Sequence, residues 1–452
     1  MRDLRGLAIS GNFFHAPEPG RLDLMADALL RLDDRGDIAE VHRAGEPGHA
    51  AALAEAKAAG DLVRAPRGSY VLPGFVDLHI HAPQYPQLGK ALNVPLEDWL
   101  QRYTFPLEAR YADAAFARST YRRLVADLLA NGTTTALYFA TLHEEASRIL
   151  ADTCREQRQR ALVGRVAMDN PDECPPYYRD ASAEAALAGT RALIEHIGGY
   201  DDDPGLVHAV ATPRFLPSCT DALLEGLGEL VADCGCHVQT HCSESDWAHG
   251  YGLARYGRTD TETLDRFGLL TRRTVLAHSN FITGSDMDRI AARGAAVAHC
   301  PLSNAYFAGS VFPLRRALEK GVRVGLGTDI SGGPSASMFD AQRMAIAASR
   351  MLETGVDPDV PAERRGRPGS RIDFDLAFHL ATAGGGAALD LPVGQFRPGF
   401  HFDALLIDPD AEGSTLRIEE GADDDADILQ KIVNTAARAN ITSVWVGGVA
   451  TG

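Results

Sequence analysis

Long apolar runs are absent from this 452-residue sequence. No stretch of 18 consecutive apolar residues occurs, so the sequence predicts no transmembrane helix. The first twenty residues also lack the continuous apolar core of a secretory signal peptide. Seven cysteines are scattered between Cys154 and Cys300, an odd number that argues against a disulfide framework. We therefore expect a protein of the reducing cytoplasm, and we interpret the isolated pair Cys234 and Cys236 as core packing.

Positive charge is also scarce. Lysine and arginine number 44 against 61 aspartates and glutamates, which gives a net charge of -17. This excess excludes nucleic-acid binding by phosphate neutralisation and repels anionic membranes, but it does not repel a neutral small molecule. The sequence contains no P-loop, no dinucleotide fingerprint and no Gly-x-Ser-x-Gly turn. We therefore expect neither a nucleotide-dependent enzyme nor an α/β-hydrolase.

What the sequence does contain is a series of short apolar runs that alternate with segments of helical periodicity. Each run is mostly apolar at its start and ends in polar residues or glycine. Eight buried strands alternating with helices predict an α/β fold, a closed parallel (β/α)₈ barrel of the TIM type. The eight runs are 71–81, 132–140, 161–169, 205–215, 237–244, 274–282, 295–304 and 322–331.

The two ends of the chain have a different pattern from the middle. Residues 1–70 and 385–452 contain short β-like runs, such as 402–408 and 441–448. Two terminal pieces that flank one barrel can pair with each other. We therefore predict a small composite β-sandwich from both termini and a barrel over residues 71–384.

Histidine and aspartate side chains stand at the ends of four of the predicted barrel strands. His79 and His81 occupy alternate positions, which project to the same face of a strand. His241, His278 and Asp329 end the fifth, sixth and eighth runs. Each alone is most simply a structural histidine or a turn aspartate. Because the carboxyl ends of barrel strands meet at one face, the set together predicts a site for a divalent metal such as zinc or iron.

Glu244 lies three residues after His241, in the string HCSE. It is either a surface carboxylate on a loop or a group beside the metal that is not a ligand. A carboxyl group beside the metal can carry a proton from an attacking water to a leaving group, which contributes roughly 10²–10⁴ in rate. The metal would lower its pKa and burial would raise it, and the sequence leaves that balance open.

Four strings around these residues resemble the metal-site signatures of the amidohydrolase superfamily in order and spacing. They are PGFVDLHIHAPQYP, THCSESD, LAHSN and GLGTDISGG. Longer strings, among them WLQRYTFPLEARY, NGTTTALYFATLH, ATPRF and AHCPLSN, are similar to the members that deaminate guanine. The resemblance covers about residues 72–345, and Ser279 and Leu302 depart from the residues usual in those members.

This resemblance implies a distorted (β/α)₈ barrel with a terminal β-sandwich and the hydrolysis of guanine to xanthine and ammonia. It also implies one bound zinc ion, an orienting role for His278 toward the attacking water and a proton-shuttle role for Glu244. Homo-oligomers are common among barrel enzymes, so we expect a homodimer. The implied zinc ligands are His79, His81, His241 and Asp329, with Asp329 also catalytic, and the residues implied to face the base are Gln84, Arg214 and Phe215.

Three alternatives stand beside this interpretation. A binuclear amidase would need a carboxylated lysine at the fourth strand end, but no lysine occurs between Lys90 and Lys320. We therefore predict one catalytic metal per chain. A mononuclear deaminase of another aminated heterocycle, such as 8-oxoguanine or a pterin, stays open. A barrel that serves only as a scaffold is disfavoured because all the expected ligands are present.

Overall fold

The structure, a computed structural model, describes residues 3–200 and 205–451. Its strands are β1 (Ala8–Glu18), β2 (Arg21–Leu32), β3 (Ile38–His42), β4 (Leu62–Arg64), β5 (Tyr70–Pro73), β6 (Phe75–His81), β7 (Thr133–Phe139), β8 (Arg160–Gly164), β9 (Val166–Ala167), β10 (Val207–Pro213), β11 (His237–Cys242), β12 (Thr274–His278), β13 (Ala296–His299), β14 (Arg323–Leu326), β15 (Ala404–Ile407), β16 (Ile441–Val446) and β17 (Val449–Thr451).

The α-helices lie mostly between the strands of the central part of the chain. They are α1 (His49–Ala59), α2 (Leu96–Trp99), α3 (Phe105–Ala109), α4 (Ala114–Ala130), α5 (Glu144–Glu156), α6 (Ala183–Gly198), α7 (Asp221–Cys234), α8 (Asp246–Tyr256), α9 (Asp260–Arg266), α10 (Gly284–Arg293), α11 (Pro301–Ser303), α12 (Leu314–Glu319), α13 (Met338–Thr354), α14 (Phe374–Ala381), α15 (Ala383–Ala388) and α16 (Asp425–Thr435). Across residues 3–200 and 205–451, none of the helices combines the length and apolar character needed to cross a bilayer.

The central sheet is the predicted barrel. Its strands follow the order β6-β7-β8-β10-β11-β12-β13-β14, and β9 adds to β10. All these pairings are parallel. Each of the eight apolar runs overlaps one of the eight strands in that order, which confirms the predicted fold class. The third run also holds β9, and the first run also holds most of β5, which ends before Gly74 and belongs to the other sheet. A side chain at Gly74 would collide with Thr134 of the neighbouring strand.

Backbone hydrogen bonds between the end of β6 and the segment after β14 bring the first and last barrel strands together. The N–H of Asp329 donates to the carbonyl of His79 at 2.8 Å, and the N–H of His81 donates to the carbonyl of Ile330 at 2.8 Å. The carboxylate of Asp77 accepts from the N–H of Thr328 at 3.0 Å. These bonds place two histidines and one aspartate of the predicted metal site at the same seam of the barrel.

Strands from both termini form a second, separate sheet. It has the order β17-β16-β15-β5-β1-β2-β3, with β4 beside β1. Most of its pairings are antiparallel, while β1 runs parallel to β4 and β5. Its core contains Phe13, Leu30, Val71, Phe402 and Trp445, which come from both ends of the chain. The terminal β-structure is therefore as predicted, and the division at residues 70 and 385 stays a prediction.

The interpretation of Cys234 and Cys236 as core packing is wrong for Cys234, which is exposed. Cys236 is half-buried and packs against the hydrophobic core. The reason is local, because Cys234 is the last residue of α7 and Gly235 adopts a left-handed conformation with φ of 63°. Such a C-terminal glycine turns the chain at the helix end, where side chains face solvent.

A buried ion pair fastens the barrel to the terminal sheet and generates a stability prediction. Arg160 donates through Nε to Asp403 at 2.9 Å, and neither side chain is more than 2% exposed. Asp403→Asn leaves a buried guanidinium without its counter-charge, so we expect unfolding to become easier by about 3 kcal/mol. Urea denaturation followed by circular dichroism measures this.

The exposed pair Glu144–Arg148 is the control. Glu144→Gln should change the free energy of unfolding by less than about 0.5 kcal/mol. Equal effects of the two variants would contradict the role given to the buried pair.

Candidate active site

The metal-type side chains predicted from the sequence converge at the carboxyl end of the barrel. His79 and His81 end β6, His241 lies near the end of β11, His278 ends β12, and Asp329 follows β14. All five are buried. Their ligand atoms, with that of Glu244, form three overlapping groups in which all atoms lie within 4.8 Å of one another. Stretches of chain up to 250 residues apart (79 to 329) thus meet at one point.

The distances between these ligand atoms fit a single cation. Nε2 of His81 lies 2.9 Å from Nε2 of His241, and Nε2 of His79 lies 3.2 Å from Oδ1 of Asp329. His81 Nε2 is 3.7 Å from the same carboxylate oxygen. Ligand atoms at about 2.0–2.1 Å from a tetrahedral zinc ion are about 3.3 Å apart. The cluster therefore has the size of a first coordination sphere.

Hydrogen bonds at the outer side of two imidazoles determine where their protons lie. Nδ1 of His241 donates to the backbone carbonyl of Arg214 at 2.6 Å, and Nδ1 of His278 donates to Oδ1 of Asn304 at 3.0 Å. Because both acceptors are oxygens, the lone pairs of these rings are on Nε2 and face the centre. Within the described ranges, Nε2 of His79 and of His278 are buried without a hydrogen-bond partner. A cation at the centre would satisfy these nitrogens.

Burial keeps the imidazoles neutral. It is the main reason that the pKa values of His79, His81 and His241 lie well below the ordinary histidine value, and neighbouring imidazoles lower them further. Burial raises the pKa of Asp329, an effect that His278 partly offsets. Neutral rings offer lone pairs, and a metal cation would stabilise Asp329 as the carboxylate. The donor set thus fits a divalent metal.

Backbone and packing hold the ligands in place. His278, Ser279 and Asp329 have φ values of 66°, 57° and 50°, in the left-handed region that residues other than glycine rarely adopt. The ring of Phe139 lies 4.9, 4.7 and 4.8 Å from the rings of His79, His81 and His241. Strain of this kind concentrates at functional sites, and the phenyl ring restricts the rotation of three ligands. Sequence reasoning missed Phe139, since its run carries no ligand.

Glu244 faces the same centre. Its Oε1 lies 3.5 Å from Nε2 of His278, and the residue is only 6% exposed. The pKa of Glu244 is raised to about 8, mainly by burial and also by the charge of Asp329, while Arg214 acts in the opposite direction. Glu244 is therefore not a surface carboxylate, and that alternative is wrong. Its carboxyl group can hold or release a proton beside the cluster.

A cleft opens next to the cluster. Gln84, Arg214 and Phe215 line it, together with two aromatic residues that sequence reasoning did not select, Trp99 and Phe307. The rings of Trp99 and Phe307 are 5.0 Å apart, although they come from distant segments. The cleft thus combines aromatic walls with an amide and a guanidinium, a combination suited to a flat polar ligand. The roles of these residues toward a ligand stay predictions.

Glu108, on α3, is the second group that sequence reasoning missed. It is fully buried and accepts hydrogen bonds from Nε2 of Gln84 at 2.9 Å and from Nη1 of Arg214 at 2.6 Å. It lies within the string WLQRYTFPLEARY, but helical spacing alone does not separate a buried glutamate from a solvated one. Only the contacts to Gln84 and Arg214 reveal it.

Comparison with known proteins identifies the family. Residues 70–451 match the model described as the amidohydrolase family. The chain belongs to the amidohydrolase family. This confirms the resemblance seen in the four metal-site strings, and this amidohydrolase is a hydrolase that acts on carbon–nitrogen bonds.

The similarity of this amidohydrolase to its relatives extends over almost its whole length. It is 36% identical over 447 residues to a probable guanine deaminase of Schizosaccharomyces pombe, covering 97% of this chain and 82% of that protein. It is 34% identical over 445 residues to guanine deaminase of Homo sapiens, covering 97% and 95%. A crystal structure of guanine deaminase from C. acetobutylicum with bound guanine in the active site superposes with a TM-score of 0.85 at 30% identity, covering 99% and 100%.

The cluster generates a prediction about metal content. We expect about one equivalent of divalent metal per chain, and His241→Asn should lose most of it because one of the ligands is gone. Elemental analysis after removal of free metal measures this. His237→Asn is the matched control, since His237 lies at the other end of β11 and its imidazole bonds to the carbonyl of Leu389 at 3.0 Å. Two equivalents that both support activity, or full retention in His241→Asn, would contradict the prediction.

Proposed function

We propose that this amidohydrolase is a zinc-dependent guanine deaminase that hydrolyses guanine to xanthine and ammonia. The observation that carries the proposal is the position of a buried histidine–aspartate cluster directly beside a cleft with aromatic walls, Gln84 and Arg214. The relatives named guanine deaminase, and the bound guanine in one of them, support this substrate.

His79, His81, His241 and Asp329 would hold the zinc ion. When bound, the metal supplies Lewis acidity, which lowers the pKa of water at the site to about 7 and makes it a nucleophile near neutral pH. The fourth barrel strand, β10, ends at Pro213 and is followed by Arg214. A carboxylated lysine that would bridge a second metal is therefore missing at this strand end. This favours one metal per chain over the binuclear alternative.

The cleft residues would recognise the 6-oxopurine. Arg214 offers N–H donors to O6 of guanine, a group that adenine lacks. Gln84 offers both a donor and an acceptor to the edge of the base, and Phe215, which is 6% exposed, offers a ring face for packing. A pocket that hydrogen-bonds a substrate group rejects an analogue without that group by about 10⁴–10⁵.

Glu244 and Asp329 would move the protons of the reaction. Water adds to C2 and gives one proton to Asp329 or Glu244, while Glu244 protonates N3 so that C2 becomes electrophilic. The carbon is then tetrahedral. The second proton passes to the amino nitrogen, the bond from C2 to that nitrogen breaks, and ammonia leaves. One water molecule is consumed, and its oxygen becomes the 2-oxo group of xanthine.

His278 would orient the attacking water rather than bind the metal. Its Nε2 lies 3.5 Å from Glu244 and 3.9 Å from Oδ2 of Asp329. The hydrogen bond from its Nδ1 to Asn304 keeps the lone pair of Nε2 directed at the space between the two carboxyl groups. His278 can therefore accept a hydrogen bond from water located there.

Ammonia release across a panel of aminated heterocycles tests the substrate. The zinc-loaded protein should release ammonia from guanine with a kcat/KM at least about 10²-fold above that for 8-oxoguanine, a pterin or adenine. A coupled glutamate dehydrogenase assay measures ammonia, and chromatography identifies xanthine. Turnover of a pterin with inert guanine would replace the proposed substrate.

Glu244→Gln tests the proton shuttle. The variant should retain its fold and metal but lose about 10²–10⁴ in kcat, because the amide cannot carry a proton. Steady-state kinetics with guanine and metal analysis measure both effects. Glu262→Gln on α9 is the control, since Glu262 caps its own helix and pairs with Arg289 at 3.7 Å, outside the candidate site. A loss of less than about tenfold in kcat would contradict the shuttle role.

Two further properties stay predictions. We expect a homodimer and a cytoplasmic location. Light scattering of the purified protein and cell fractionation test them independently of the chemistry.

A further inference from the structure

The carboxylate of Glu108 connects Gln84 and Arg214, two polar side chains that line the cleft. Glu108 lies on the short helix α3 and is fully buried. Its Oε1 accepts from Gln84 Nε2 at 2.9 Å and from Arg214 Nη2 at 3.1 Å, and its Oε2 accepts from Arg214 Nη1 at 2.6 Å. Nothing in the proposed reaction consumes or moves a proton at this carboxylate. Its contacts instead point to recognition.

We propose that Glu108 is a positioning residue that fixes the orientation of Gln84 and Arg214 and makes this end of the cleft electrically neutral, so that the site selects neutral heterocycles over anionic ones. The inference rests on the proposed function for the identity of the ligand. It adds to that function the charge class of the ligand and the residue that sets it.

The orientation of the Gln84 amide follows from its two partners. A carboxylate only accepts hydrogen bonds, so the side of Gln84 that faces Glu108 must be its NH₂ group. The backbone N–H of Ser331 donates to the other side, Oε1, at 3.2 Å. The amide therefore cannot flip. One N–H and one lone pair remain, which match a ligand edge with an acceptor beside a donor, such as O6 and N1–H of a 6-oxopurine.

Arg214 is held by the same carboxylate. Two of its nitrogens bond to Glu108, and its guanidinium carbon lies 5.0 Å from the ring centre of Phe105 on the same helix as Glu108. This paired and stacked arrangement leaves the guanidinium little rotational freedom. Its remaining N–H groups keep fixed directions for a ligand carbonyl.

The charge of Arg214 is balanced within the pair. Neither side chain is more than 2% exposed, so water screens the two charges poorly and they cancel mainly each other. An arginine without this partner would attract an anion into the cleft. With Glu108 present, Arg214 offers directed donors without a net positive charge. A neutral base gains these hydrogen bonds, whereas an anion gains little extra attraction.

Direct binding of two product-like purines tests the charge argument without turnover. Hypoxanthine is neutral and carries the 6-oxo group, whereas urate is an anion at neutral pH. We expect the metal-loaded wild type to bind hypoxanthine more tightly than urate in isothermal titration calorimetry. In Glu108→Gln, which keeps the shape but removes the negative charge, the ratio of the two Kd values should shift toward urate by at least about tenfold. An unchanged ratio would overturn the charge argument.

Glu108→Asp tests positioning separately from charge. It retains the carboxylate but is one methylene shorter, so it cannot reach Gln84 and Arg214 together. The urate-to-hypoxanthine ratio should stay within about twofold of wild type, while KM for guanine should rise about tenfold with a smaller change in kcat. An unaltered KM would overturn the positioning role. If Glu108→Gln fails to fold, this variant still decides whether Glu108 positions Gln84 and Arg214.

Asp403→Asn is the matched control, because it removes a carboxylate from another buried arginine pair, away from the cleft. It should lower stability yet leave the binding ratio and KM within about twofold of wild type. A shift of the ratio in this variant as well would overturn the inference, since destabilisation alone would then suffice. Absence of guanine turnover in the wild type, with the ratio shift intact, would reject the proposed substrate and leave the role of Glu108 supported.

Discussion

Convergence of distant ligands depends on how the barrel closes. Two backbone hydrogen bonds join the end of β6, the first barrel strand, to the segment after β14, the last barrel strand. They set Asp329 against His79 and His81, while the parallel pairing of β11 with β12 sets His241 beside His278. If the closing strands slipped by one residue, every side chain would exchange the interior for the exterior. The geometry of the cluster is therefore a consequence of barrel register.

The surroundings of the cluster fix the protonation and orientation of the side chains that the barrel register brings together. Burial favours neutral imidazoles, and carbonyl and amide oxygens fix the tautomers of His241 and His278. Phe139 packs against three of the rings, and left-handed backbone turns aim His278 and Asp329 inward. Packing, hydrogen bonding and backbone conformation thus direct the lone pairs of the histidines and of Asp329 to the same point. A divalent cation is the ligand that relieves the resulting lack of partners.

The cleft depends on a second set of constraints. The helix α3 places the buried carboxylate of Glu108 against two polar residues that line the cleft, 24 residues from Gln84 and 106 from Arg214. The short segments that carry Trp99 and Phe307 supply aromatic rings that pack together and line the same cleft. On the proposed function, the strand ends would carry the chemistry and the loops that follow them the selectivity, as is usual in barrels of this type.

Periodicity in the sequence was sufficient to find the eight barrel strands, and alternate spacing was sufficient to put His79 and His81 on one face, because both properties are local. The candidate ligands on other strands follow from the rule that the carboxyl ends of barrel strands share a face. Cys234 was misjudged, since the helix end at Gly235 was not read from the sequence. Glu108, Phe139, Trp99 and Phe307 were decided only by tertiary structure. Their significance lies in contacts between segments far apart in the chain, and no local pattern records which segments will touch.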